Sequence, residues 1–185
     1  MIVYFDEFEK VTDDKYTFLY SLLPKSRKEK INTKTIKKDQ KIAIIEYFLV
    51  KKLLKLKKCP DFEYTEFGKP YIKNKHFGIS HSDNFLVVAT AKKELGVDVQ
   101  KIIEYNDKLA KYVCNEKEYK KITNSKNKSL EFTKLWTKKE SYIKFLGKTV
   151  FCDLKNLLNN HNCKFEYSYV KDFVICVCKQ KSTPL

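Results

Sequence analysis

The sequence has very little arginine, glycine and proline. Arg27 is the single arginine among 38 basic residues, and the four glycines and four prolines are scattered, without forming a low-complexity linker. Arginine is the usual residue for bidentate recognition of bases and phosphates, so its scarcity argues against a nucleic-acid-binding protein. With 185 residues and no linker, the chain is expected to form one domain, built as two fused halves.

Membrane spans and export signals are also missing. No stretch approaches the roughly 18 uncharged apolar residues of a membrane span. The first ten residues, MIVYFDEFEK, lack a basic start followed by an apolar run. The six cysteines include no CxxC pair, so we expect free thiols in a reducing compartment. These features predict a cytoplasmic protein with no membrane partner.

Positive charge is abundant. The 38 lysine and arginine residues exceed the 23 acidic residues and give a net charge of +15 at pH 7. A field of this sign favours acidic partners or phosphorylated ligands. Two alternatives stay open: the lysines form ordinary solvated faces, or tyrosines among lysines, as in NEKEYKKITNSKNK, form a basic nucleic-acid-binding module.

Apolar periodicity predicts the main elements. Apolar residues spaced three and four apart predict helices over 39–58 and 129–147, with a shorter helix around NDKLAKYVC. Strands are expected at MIVYF, HFGISHS, FLVVATA, LGVDVQ and twice in KFEYSYVKDFVICVCK. We therefore predict an α+β fold with two similar halves, residues 1–93 and 94–185, related by a pseudo-twofold with the active site in the cleft between them.

Two carboxylates stand out. Glu140 and Lys144 share a helix face, where the alternative is an ordinary surface salt bridge. Asp98 lies on a short apolar strand, where the alternative is an aspartate that caps a turn. If Asp98 and Glu140 converge, they form an oxygen site that suits Mg²⁺ together with substrate phosphates. Nearby lysines, Lys139 among them, would hold the remaining phosphate charge.

Two further motifs allow several interpretations. His81, in ISHSD, is a candidate phosphate ligand, general base or core histidine, and Ser80 and Ser82 flank it. Lys69, in GKPY, is by itself a lysine in a turn.

The ordered set FGKPY, FGISHSDNFLVVATA, LGVDVQKI and LWTKKESYIKFLGK resembles the 4′-phosphopantetheinyl transferases of the surfactin-synthetase-activating type, which are monomers of two halves. This resemblance implies transfer of phosphopantetheine from coenzyme A to a serine of an apo acyl or peptidyl carrier protein, with release of 3′,5′-ADP. It also implies Mg²⁺ as cofactor, with Mn²⁺ possible because both accept oxygen ligands.

The resemblance assigns roles to particular residues. It implies that Asp98 binds the metal, that Glu140 binds the metal and helps to deprotonate the serine, and that Lys144 stabilises the breaking pyrophosphate. It implies coenzyme A phosphate contacts at Lys30, Lys69, Ser80 and His81, with Arg27 or Lys28 as further candidates near the 3′-phosphate.

The chain departs from the family pattern at two positions. Gln100 occupies a position where many members have a third acid, and its amide oxygen is a neutral candidate metal ligand. Ile42 stands where an arginine is usual, and Lys41 is a partial substitute. Gln100 also leaves open a third alternative, an inactive protein that only binds carrier proteins.

Overall fold

In the described residues, two three-stranded antiparallel sheets, one two-stranded hairpin and six helices make up the fold. The computed structural model describes residues 1–148, 153–159 and 161–181. The helices are α1 (Asp13–Ser21), α2 (Lys25–Asn32), α3 (Lys37–Leu53), α4 (Asp107–Val113), α5 (Glu116–Thr123) and α6 (Lys128–Leu146), with a 3-10 turn at Phe8–Lys10. The strands are β1 (Ile2–Phe5), β2 (Glu63–Tyr64), β3 (Pro70–Tyr71), β4 (His76–Ser82), β5 (Phe85–Ala91), β6 (Leu95–Lys101), β7 (Cys163–Val170) and β8 (Phe173–Gln180).

Each sheet has three strands. The first has the order β1-β5-β4 and the second the order β6-β8-β7, and all neighbouring strands are antiparallel. β2 and β3 form a separate two-stranded hairpin. The β4–β5 and β7–β8 hairpins turn through Asp83 and Lys171, which both adopt positive φ.

The two sheets pack against each other through one face of each. Phe85, Val87 and Ala89 of β5 pack with the odd-numbered apolar residues of β6 and β8. Leu86 and Val88 of β5 point the other way, into the core formed with α1, α2 and α3. The strand period of two thus gives β5 two buried faces, one toward the helices and one toward the second sheet.

Helix α6 lies on the outer face of the second sheet. Asn127 caps its first turn by accepting a hydrogen bond from the Leu130 N–H, and Gly147 ends it in the left-handed conformation with φ of 63°. The helix passes so close to β6 that a Cβ atom at Gly96 would lie 2.0 Å from the carbonyl oxygen of Ser141. This close crossing brings the face of α6 that carries Lys144 next to Asp98.

The predicted α+β class, both long helices and the predicted strands are confirmed. The predicted helix over 39–58 ends earlier, at Leu53, because Lys55 adopts a left-handed φ of 53°. Helices α1, α2 and α5 were not predicted; α2 has a single buried apolar residue, Ile31, so it has no apolar period. The internal pseudo-twofold and the boundary between residues 93 and 94 stay predictions.

Within the described ranges, no helix combines the length and the apolar character that crossing a membrane requires.

We predict that Gly96→Ala lowers the free energy of unfolding by about 1–3 kcal/mol or more, since the new Cβ overlaps backbone atoms of α6. The matched control is Gly78→Ala on β4, where the nearest atom is a side-chain methyl of Val97 at 2.9 Å and the nearest backbone atom is farther away, at 3.4 Å. Urea denaturation of both variants measures the difference. Equal losses in the two variants would contradict the importance of the close crossing.

Candidate active site

Most of the residues singled out in the sequence line one cavity of about 550 Å³, and Lys69 and Lys139 are the exceptions among the predicted site residues. Elements from both sheets and from α2, α3 and α6 contribute to its walls. We call it the active-site cavity, and its lining includes Arg27, Lys30, Lys34, Glu46, Tyr64, Ser80, His81, Asp98, Gln100, Trp136, Glu140 and Lys144. Its volume is within the usual range of small-molecule sites.

Asp98 is the buried centre of this cavity. Its Oδ1 atom accepts hydrogen bonds from Lys144 Nζ at 2.7 Å and from the Ser80 hydroxyl at 2.8 Å. The Ser80 oxygen also accepts from Lys144 Nζ at 2.8 Å and from the Val99 N–H at 3.2 Å. The side chain of Asp98 is only 8% exposed, so its charge requires these partners. The three side chains form what we call the Asp98 triangle, which joins β4, β6 and α6.

Glu140 lies beside this triangle, one turn before Lys144 on α6. Trp136, Glu140 and Lys144 follow each other at intervals of four residues, and all three line the cavity. Within the described part of the chain, no ion pair joins Glu140 to Lys144, because the ammonium group pairs with Asp98 instead. Burial, and then the charge of Asp98, raises the pKa of Glu140, while Lys144 opposes this shift. Glu140 therefore accepts a proton more readily than an exposed glutamate does.

Gln100 and His81 complete this end of the cavity. Gln100 lies two residues after Asp98 on the same strand face and is half-buried. Desolvation within the cavity lowers the pKa of His81, with Glu46 opposing and Lys144 adding to the shift. His81 is therefore biased toward its neutral form, which can both donate and accept a hydrogen bond.

Two predicted phosphate contacts lie elsewhere. Lys69 Nζ donates to the main-chain oxygens of Lys144 at 2.9 Å and Leu95 at 3.3 Å and pairs with Glu94. It lines a smaller adjoining cavity of about 270 Å³. The contacts of Lys69 hold the end of α6 against the start of β6.

Lys139 is buried on the opposite side of α6. Its ammonium group donates to the carbonyl oxygens of Val113 at 2.9 Å and Leu154 at 2.6 Å and to Glu118 at 2.7 Å. An ammonium group has three N–H donors, and all three are used. Lys139 therefore has no donor left for a phosphate.

The far wall of the cavity contains residues that the sequence analysis missed. Tyr64, Glu46 and Lys34 line the cavity beside Arg27 and Lys30. Arg27 is 5% exposed and pairs with Glu46 at 3.0 Å. A lone arginine in a lysine-rich chain is one signal that could have pointed to such a buried partner.

The oxygen atoms near Asp98 suit a hard divalent cation. No group of three His, Cys, Asp or Glu side chains is found in the described ranges, so any such site rests on two carboxylates and an amide. Asp98, Glu140 and Gln100 all line the cavity, and the Asp98 charge raises the pKa of Glu140. A cation between the carboxylates would relieve this repulsion. Mg²⁺ commonly binds through one or two carboxylates plus waters and substrate phosphates, so these residues fit it.

Paired carboxylates, a lysine and a separate group of cations in one cavity are typical of a site for a phosphorylated ligand with a divalent cation. Residues 94–181, which contain Asp98, Glu140 and Lys144, match the model of the 4′-phosphopantetheinyl transferase superfamily.

Curated proteins give the same result. The chain is 32% identical over 157 residues to the 4′-phosphopantetheinyl transferase gsp of Aneurinibacillus migulanus, covering 80% of this chain and 65% of that protein. It is 34% identical over 93 residues to the 4′-phosphopantetheinyl transferase Sfp of Bacillus subtilis, covering 47% and 41% of the two chains. A third relative, the L-aminoadipate-semialdehyde dehydrogenase-phosphopantetheinyl transferase of Candida glabrata, is 31% identical over 166 residues, covering 77% and 62%.

The chain is thus similar to the 4′-phosphopantetheinyl transferase superfamily, over residues 94–181 in the family model and over up to 80% of its length in the relatives. It spans 41% to 65% of the length of these three relatives.

We predict that Ser80→Ala lowers the free energy of unfolding by about 1–3 kcal/mol, because Asp98 loses a donor and the Val99 N–H loses its acceptor. The matched control is Ser82→Ala, since Ser82 also accepts a β6 backbone N–H, that of Lys101 at 3.2 Å, but is more exposed. Urea denaturation measures both losses. A loss in Ser82→Ala as large as that in Ser80→Ala would show that the Asp98 triangle adds nothing.

Proposed function

We propose that this chain transfers the 4′-phosphopantetheine group of coenzyme A to a serine of an apo acyl or peptidyl carrier protein and releases 3′,5′-ADP. The observation that carries the proposal is the meeting of Asp98, Glu140 and Lys144 in one cavity, which the cations of α2 also line. The names of the relatives support the reaction type.

The proposed metal ligands are Asp98, Glu140 and, directly or through water, Gln100. Mg²⁺, or Mn²⁺ in its place, would neutralise diphosphate charge there as the phosphoanhydride breaks. Asp98 is suited to this role because Lys144 and Ser80 occupy its Oδ1 atom. Its other oxygen has no hydrogen bond from any residue within the described ranges.

Glu140 is the proposed proton acceptor. The serine oxygen attacks the β-phosphorus of coenzyme A, a new P–O ester bond forms, and the anhydride P–O bond breaks. The serine proton passes to the Glu140 carboxylate, directly or through one water. The burial that raises the pKa of Glu140 favours this transfer because it brings the carboxylate closer to the working pH, whereas the cation would offset the contribution of the Asp98 charge.

Lys144 is the proposed stabiliser of the leaving group. Its ammonium group lies between Asp98 and the Ser80 hydroxyl at the edge of the cavity. From there it can donate to the oxygen that gains negative charge as the anhydride breaks. Phosphoryl transfer depends mainly on positioning and charge neutralisation, and a lysine held in place by two partners provides both.

Lys30 and His81 are the proposed contacts to the coenzyme A phosphates, because both line the cavity. Ser80 also lines it, but its single O–H donates to Asp98, so we propose that Ser80 positions Asp98 instead of binding a phosphate. Lys69 is proposed to act through the main chain of Lys144, to which it donates, rather than on a phosphate. The net charge of +15 supports an acidic carrier protein as partner. Monomeric state, cytoplasmic location and the absence of nucleic-acid and membrane partners stay predictions.

The test is a mass measurement on an apo acyl or peptidyl carrier protein mixed with the chain, coenzyme A and Mg²⁺. We expect the carrier to gain one phosphopantetheine group, and Glu140→Gln to lower the rate by about a hundredfold or more. The matched control, Glu131→Gln on the same helix, alters ion pairs with Lys134 and Lys121 outside the active-site cavity and should keep the rate.

Other outcomes would support a different function for this chain. Tight carrier binding without a mass gain supports an inactive carrier binder. Salt-sensitive nucleic-acid binding without a mass gain supports a basic nucleic-acid-binding module. Equal rates in the two glutamine variants would remove Glu140 from the mechanism.

We predict that Gln100→Glu raises Mg²⁺ affinity, because it adds a charged oxygen ligand beside Asp98 and Glu140. The measurement is transferase rate against Mg²⁺ concentration, and the half-saturating concentration should fall. The matched control is Gln180→Glu at the exposed end of β8, which makes the same charge change outside the cavity. An unchanged half-saturating concentration in Gln100→Glu would count against a metal contact at this position.

A further inference from the structure

The active-site cavity has a second charged end, away from the Asp98 triangle. Arg27, Lys30 and Lys34 of the α2 region line it, and we call them the α2 cation cluster. Glu46 is the one carboxylate on this wall, and it pairs with Arg27. A ligand that fills the cavity can therefore place one anionic group near Lys144 and another near this cluster.

Arg27 is held rigidly in this wall. Its guanidinium donates to the Tyr64 hydroxyl at 2.6 Å, to the Ala43 carbonyl oxygen at 2.9 Å and to Glu46 at 3.0 Å. It also lies 5.3 Å from the centre of the Phe62 ring. With its partners on three sides, Arg27 acts as a fixed support for Tyr64.

Tyr64 in turn supports Lys30. The Lys30 ammonium nitrogen is 3.2 Å from the centre of the Tyr64 ring, well within the range of a cation–π contact. No carboxylate forms an ion pair with Lys30 or Lys34 among the residues that the structure describes. An aromatic face attracts the ammonium group without neutralising its charge, so the N–H donors stay available to an anion.

The contact of Arg27 with Tyr64 and that of Tyr64 with Lys30 thus hold the Lys30 ammonium group in place before a phosphate binds. A lysine side chain loses conformational entropy when a ligand immobilises it, and part of this loss is avoided when the side chain is already held. Partial burial, with Arg27 beside it, lowers the pKa of Lys30, and an anion bound there would oppose this shift.

We infer that Tyr64 is a positioning residue that holds Lys30 for the 3′-phosphate of coenzyme A, so that it sets the preference for coenzyme A over 3′-dephospho-coenzyme A. The inference rests on the proposed function, because it takes coenzyme A as the ligand. The inferred role gives Tyr64 an effect on phosphate binding although it has no charge and does not need to touch the phosphate, because it acts through Lys30.

The test uses calorimetric binding of coenzyme A and of 3′-dephospho-coenzyme A to the full chain with Mg²⁺ and without a carrier protein. Tyr64→Gln keeps a hydrogen-bond acceptor for Arg27 but removes the ring, whereas Tyr64→Phe keeps the ring and removes the hydroxyl. Tyr71→Gln is the matched control on the neighbouring strand, since Tyr71 lines a different cavity and bonds to Glu63. Thermal unfolding verifies that each variant is folded.

We expect the wild-type chain to bind coenzyme A more tightly than the dephospho compound. Tyr64→Gln should reduce this preference by about twofold to fivefold, the value of a cation–π contact at an exposed site. Tyr64→Phe should keep most of the preference, and Tyr71→Gln should keep all of it. In a Lys30→Met background, where the cation is absent, Tyr64→Gln should cause no further reduction.

Several outcomes would overturn the inference. A Tyr64→Gln protein that keeps the full preference, or that weakens both ligands equally, shows that Tyr64 does not act on the 3′-phosphate. An equal further loss in the Lys30→Met background shows that it does not act through Lys30. If the wild-type chain binds neither ligand, the proposed function itself fails, which separates that failure from the failure of Tyr64 alone.

Discussion

The fold and the site both depend on one buried carboxylate. Asp98 lies where β6 passes beneath α6 and beside β4, and its charge is balanced by Lys144 and the Ser80 hydroxyl. A buried charge that loses its partner is costly, so the pairing restricts how these three elements can pack. Gly96, two residues earlier, makes the approach of α6 possible. The packing that protects Asp98 therefore also brings Glu140 and Lys144 to the same cavity.

Local periodicity explains why much of this arrangement could be predicted from the sequence. Alternation in LGVDVQ places Val97 and Val99 in the core between the sheets and leaves Asp98 and Gln100 on the α6 side. The spacing of four residues places Trp136, Glu140 and Lys144 in one row. The convergence of the two carboxylates followed from the family resemblance, since the crossing of β6 and α6 joins residues far apart in the sequence, such as Asp98 and Lys144, which are 46 positions apart. The alternative, a surface salt bridge between Glu140 and Lys144, is not found within the described ranges, where Lys144 pairs with the buried Asp98.

The contacts of the individual lysines were harder to predict, because all lysine side chains have the same chemistry and only their surroundings in the fold distinguish them. Lys139 lies seven residues after Phe132 and four before Ile143, both buried, so the helical period does place it on the buried side of α6. Its partners, two carbonyl oxygens and Glu118, come from other parts of the chain and have no local signal. Lys69 likewise donates hydrogen bonds to main-chain oxygens, and a sequence pattern does not predict such contacts. Helix α2 had no apolar period, so Tyr64 and Glu46 could not be associated with Arg27 in advance.

The charge arrangement around Asp98 shows how one site can be stable by itself and also receptive to a ligand. Lys144 and Ser80 bind the same oxygen, Oδ1, so the aspartate is neutralised from one side only. Glu140 has no ammonium partner within the described ranges and keeps a raised pKa. Groups perturbed in this way are concentrated at functional sites, because the interaction that would relax them is the one with the ligand. At the other end of the cavity Arg27 pairs with Glu46, whereas Lys30 rests on an aromatic ring and has no carboxylate partner within the described ranges. At each end of the cavity, therefore, one charged residue is held by contacts within the fold. Its neighbour, Glu140 or Lys30, can form further contacts with a phosphorylated substrate and its cation.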